Sequence, residues 1–232
     1  MQQPVQKKLA FLFFLLTLLD VAGIAANIEM LHFVVKPLLI PALWLLLYFT
    51  RSAAPGKNVL LTGLIFSWLG DVFLLFEYKH PLFFIFGLLS FLTTHIFYIV
   101  YFLRIQSDKP SLLKKQPVLI ALVLAYGITL VWQLYPHIEK ELKLPVMIYA
   151  AVICSMLLCS LHIFLKVNKK AAACYLLGAG AFVFSDSLLA IKKFYAQHPA
   201  DQPFAYAGVF IMLTYCIAQF FIIAGYTQQV DS

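Results

Sequence analysis

The sequence predicts an all-α polytopic membrane protein, a bundle of about eight transmembrane helices. Residues 1–232 read as a single integral membrane domain with short loops. Three observations carry this. The chain is 63% hydrophobic and only 12% charged, more apolar surface than a water-soluble domain of its length can enclose. Its apolar residues fall in runs of about 20, the length that crosses a hydrocarbon core of about 30 Å. Its basic residues fall mainly between those runs. Lipid offers no hydrogen bonds, so spans that satisfy their own backbone must be helices. Long uninterrupted apolar runs exclude the short alternating strands of a membrane barrel.

The first span is read at Leu9–Ala26, after Lys7 and Lys8. Its basic start and small residues resemble a signal peptide, but Asp20 inside the apolar run argues for a retained helix. The second span, Phe33–Phe49, opens with Lys36-Pro37, proline being tolerated in a first helical turn. The others are read at Asn58–Phe76, Leu82–Leu103, Pro117–Leu134, Leu144–Leu165, Ala171–Ile191 and Phe204–Tyr226. All four cysteines, Cys154, Cys159, Cys174 and Cys216, fall inside spans, where cysteine acts as a small packing residue.

The charges orient the bundle. Eleven of the seventeen basic residues, including Lys7, Lys8, Arg51, Lys57, Arg104 and Lys170, lie on the side that holds both termini. The opposite side carries six, diluted by Glu29, Glu77, Glu139, Glu141 and Asp201. This asymmetry predicts a cell (inner) membrane protein with both termini cytoplasmic. It also accounts for the net charge of +7 without nucleic acid, because the basic residues are scattered between spans.

The chain is organised around Gly63–Phe76, an apolar stretch with Asp71 in its interior. Gly178–Phe194 echoes it, with Asp186. An intramembrane carboxylate is costly and marks a functional site by default. Asp71 lies six residues before Glu77, Asp186 six before Lys192, and Asp20 seven before Asn27. At about 1.5 Å per residue, the three share a depth of ~9–10 Å below the non-cytoplasmic surface. Lys36 enters from that side to a similar depth, as an ion-pair partner or a ligand for a lipid phosphate. Ser67 and Asp71, His95 and Tyr98, and Tyr215 and Gln219 pair by helical spacing, so each pair projects together. His95, Tyr98, Ser67, Ser185, Tyr215 and Gln219 are candidate supporting or proton-relay groups. Their plainer role is hydrogen bonding between helices. Only His95 and His162 lie within the predicted spans, too few for a catalytic zinc site, and no metal or other cofactor is expected.

Two carboxyls in one pocket supply a general acid and a general base. Such pairs suit reactions that pass through an oxocarbenium ion. A vinyl ether is one substrate of this kind, since protonation at its β-carbon gives that ion and water then adds.

Several fragments in order carry a resemblance: Lys36-Pro37, GLIFSWLGD at Gly63–Asp71, FxxxHxxY at Phe91–Tyr98, FxFSDSLLA at Phe182–Ala190, and TYCIAQ at Thr214–Gln219. On these the chain resembles the YhhN family of membrane lysoplasmalogenases. The resemblance implies an eight-span bundle that hydrolyses the 1-alkenyl ether of lysoplasmalogens, with a lysophospholipid substrate drawn from membrane lipids. Asp71 and Asp186 are then the catalytic acid and base across a cleft between the third and seventh spans. Lys36, and by its shared depth Asp20, which lies outside these fragments, are read as headgroup or ion-pair residues. The same carboxylates also fit a proton-coupled transporter of lipids or small molecules. Gly70-Asp71 matches half of an intramembrane aspartyl protease signature, whose Tyr-Asp and Pro-Ala-Leu elements are missing.

Overall fold

The computed structural model describes residues 2–50, 56–195 and 206–230. Arg51 and Asp201 of the charge pattern, the expected start of the last span at Phe204, and Ser232 lie outside the described residues. Helices α1 (Gln2–Ala25), α2 (Glu29–Tyr48), α3 (Lys57–Leu75) and α4 (Pro81–Leu103) come first. A one-turn helix, α5 (Leu112–Lys115), precedes α6 (Val118–Leu134), α7 (Lys143–Ile163), α8 (Lys169–Phe194) and α9 (Ala207–Val230). Apart from α5, these helices supply eight segments long and apolar enough to span a membrane.

The helices pack chiefly as sequential hairpins: α8 on α9, α3 on α4, and α1 on α2. Helix α9 also touches α1 and α2, and α4 leans on α7. Helix α6 is the outlier, with only Val123 and Leu134 buried. Its Ile128 and Trp132 are largely exposed, which suits a face turned to lipid. The start of α1 and the end of α9 lie together, lining one cavity through Gln6, Lys7, Thr227 and Gln228.

Small residues set the close approaches. A Cβ on Gly70 would fall 2.7 Å from the Phe91 ring, so its absence lets α3 settle on α4 beside Asp71.

The second span differs from the expected one. Asn27 adopts a positive φ of 55°, a conformation asparagine tolerates better than most residues. The chain reverses there and α2 starts at Glu29 rather than Phe33. His32 is therefore inside the helix, and Pro37 is in its interior rather than its first turn. Pro41 has no N–H for the Pro37 carbonyl four residues before it. The Trp68 indole N–H of α3 donates to that carbonyl instead, at 2.9 Å.

Candidate active site

Asp71 ends a chain of hydrogen bonds that runs through three helices. Tyr98 of α4 donates to Gln219 Oε1 of α9 at 2.7 Å. Gln219 Nε2 donates to Ser67 Oγ at 2.5 Å. Ser67 Oγ is 2.8 Å from the Tyr215 hydroxyl, which donates to Asp71 Oδ2 at 2.6 Å. With Tyr215 donating onward, Ser67 donates to Tyr215, and every donor points toward Asp71. Such a chain needs an acceptor at its end, and an ionised carboxylate is the strongest one available. Lys36 Nζ lies 3.8 Å from the other oxygen. The Asp71 side chain is 2% exposed.

Asp186 sits in a second network. Tyr149 of α7 donates to its Oδ2 at 2.5 Å. His95 Nε2 of α4 lies 3.1 Å from the same oxygen and 3.0 Å from the Tyr149 hydroxyl. Oδ1 takes part in none of these bonds. The Asp186 side chain is 14% exposed and lines two cavities of about 50 Å³ each. Of the two carboxyls, Asp186 is the one open to a small molecule.

The aromatic ring of Phe182 stands between the networks. It packs edge-on against His95 at 5.0 Å and against Tyr215 at 5.8 Å. Where one acid–base cleft between the third and seventh spans is expected, the two aspartates take their hydrogen bonds from separate networks, with the Phe182 ring packed against a member of each. His95, a candidate supporting or relay group, serves Asp186. Tyr98, Ser67, Tyr215 and Gln219 all serve Asp71. Ser185 turns away and donates to the Ile211 carbonyl of α9 at 3.0 Å, tying α8 to α9.

Asp20 is fully buried, and its Oδ1 lies 2.8 Å from His32 Nδ1. Among the described residues no three His, Cys, Asp or Glu side chains gather as a metal-binding group.

Sequence reasoning missed Tyr149 and His32. Tyr149 sits in an apolar stretch of its helix, Val146–Cys154, where its hydroxyl gives no periodic signal. His32 falls just outside the predicted span, and helical spacing from Lys36 (i, i+4) was the signal that pointed to it.

Fold and site together define a polytopic membrane protein with two intramembrane carboxylate centres near one end of the bundle. The chain belongs to the YhhN family, whose model matches residues 31–226. It is similar to the lysoplasmalogenase TMEM86A of Homo sapiens, at 31% identity over 179 residues, 73% of this chain and 65% of that protein. The match therefore spans just under two thirds of that relative's length. No solved structure matches the chain.

Proposed function

We propose that the protein hydrolyses the 1-alkenyl ether of lysoplasmalogens, releasing a fatty aldehyde and glycerophospho-ethanolamine or -choline. Family membership and the name of the human relative support this activity. The observation that carries it is the Asp186 carboxyl, held through one oxygen by Tyr149 and His95 while lining a cavity.

The chemistry balances with these groups. Protonated Asp186 gives its proton to the β-carbon of the vinyl ether. The double-bond electrons form the new C–H bond and leave an oxygen-stabilised cation at the α-carbon. Water attacks that carbon and returns a proton to Asp186. The hemiacetal then breaks its bond to the glycerol oxygen, which takes up a proton as the aldehyde's C=O forms. Asp71 stays ionised at the end of its donor chain, and its negative charge favours the cation across the Phe182 ring. Fixed charges in a low-dielectric site are commonly the largest part of catalysis. Lys36 balances Asp71 and lines the polar cavity at the same end of the bundle. No cofactor enters this balance. The reading takes that end as the non-cytoplasmic face of the membrane, which the basic-residue asymmetry supports.

The test is incubation of the purified protein with a lysoplasmalogen and with its saturated 1-alkyl analogue. Aldehyde is expected from the first alone. Cleavage of the saturated ether, or no aldehyde from either, overturns the proposal.

A further inference from the structure

Four cavities stand in sequence through the bundle. The first, about 270 Å³, is polar and lies among the ends of α1, α3 and α8 and the starts of α2 and α9. It is lined by His32, Lys36 and Lys192 together with Glu29 and Glu77. Its wall at Leu74 and Leu189 is also a wall of one of the small cavities that hold Asp186. That cavity shares Tyr149 and Asp186 with the second small one. The second shares Gly127, Val131, Ala150 and Cys154 with a groove of about 510 Å³ between α6 and α7.

The groove is lined almost wholly by apolar side chains. It runs from Tyr135 and Met147, at the end of the bundle that holds the polar cavity, to Leu124 and Leu158. Eleven residues of helix separate those levels, about 16 Å at 1.5 Å per residue. Its volume falls in the range of about 300–1,000 Å³ typical of small-molecule sites. One side chain layer, Val131 and Ala150 among it, separates the groove from Asp186. Helix α6, which forms that layer's outer half, is the least buried span of the bundle.

The order along this line is cation, carboxyl, hydrocarbon. We infer that a single-chain phospholipid binds along it: phosphate at Lys36 and Lys192, first chain carbons at Asp186, remaining chain in the α6–α7 groove. The inference rests on the proposed lysoplasmalogenase reading for the bond that is cut. It adds where the two ends of the substrate lie. The lysines supply charge complementary to a phosphodiester. One groove of this size suits one chain, which selects a lyso-lipid over a diacyl lipid. Substrate reaches the carboxyl by the outward yielding of α6, the helix with least to lose.

Two measurements test this. The first uses a saturated 1-acyl lysophosphatidylethanolamine with a diazirine at the chain end, photolysed with wild-type protein in nanodiscs. Label on the groove faces of α6 and α7 that excess unlabelled lysolipid displaces is expected. Label elsewhere, or label in the groove that lysolipid does not displace, overturns the inference. The second compares long- and short-chain lysoplasmalogens with Ala151→Trp and Ser155→Trp, both on exposed groove positions. A single lost methylene contact is worth about tenfold in selectivity, so the long-to-short ratio of kcat/KM should fall by at least that factor. Leu177→Trp, on a lipid-facing position outside the groove, should leave the ratio unchanged. An unchanged ratio in the groove variants of an active enzyme overturns the inference and leaves the activity standing. Displaceable groove label without aldehyde release from any vinyl ether does the reverse.

Discussion

Asp71→Asn separates the structural weight of the Asp71 centre from its chemistry. Asparagine keeps an oxygen for the Tyr215 hydroxyl but removes the charge that faces Lys36 at 3.8 Å. At that separation and an effective dielectric constant of about 20, the attraction is about 4 kcal/mol. Removing one member of a buried pair strands the other, at a cost of about 3–5 kcal/mol. The Lys36 side chain is 10% exposed and lines the polar cavity, which places the loss near the lower end, about 3 kcal/mol. For a chain of this size each kcal/mol moves Tm by about 2–4 °C, a fall of roughly 6–12 °C. Thermal unfolding of the purified protein in one detergent measures it. Adding Lys36→Met removes the stranded charge and should recover most of the fall, so the two substitutions are strongly non-additive. A wild-type Tm for Asp71→Asn, or a double variant as unstable as the sum of the singles, would refute the ion-pair argument.

Asp186→Asn should lower turnover by about 10²–10⁴-fold while leaving Tm near wild type, because among the described residues no lysine or arginine pairs with Asp186. A folded Asp186→Asn protein with wild-type kcat removes Asp186 from the mechanism. Tyr149→Phe deletes the 2.5 Å donor to Asp186, a bond worth about 0.5–1.5 kcal/mol, and should reduce kcat more than it raises KM. An effect confined to KM would assign Tyr149 to substrate binding instead. Activity should persist in a metal chelator, and loss of activity restored by a divalent ion would contradict the proposed chemistry. A cysteine placed near Ser232 should resist membrane-impermeant thiol reagents added to intact cells, and its labelling from outside would reverse the assigned topology.

Hydropathy is a property of consecutive residues, so the eight spans were legible from the chain alone. So was the sharing of one helix face by Ser67 and Asp71, and by Tyr215 and Gln219. The cost of an intramembrane charge and the 3.6-residue helical repeat are both local facts. Pro37 shows where local reading stops: its place in the helix depended on how tightly the chain turned at Asn27. Which carboxyl meets which donor depended on packing between helices distant in sequence. Tyr149 lies 37 residues from Asp186 and Tyr215 lies 144 from Asp71. A tyrosine in an apolar run reads as one more packing aromatic until a neighbouring helix brings a carboxylate to its hydroxyl. Only the tertiary structure placed Phe182 between the two networks, leaving Asp71 sealed and Asp186 lining a cavity. Lipid provides no competing water, so a polar group in the bundle is satisfied by another helix or by its own backbone. That choice is made by the assembly of helices, after each helix is already specified.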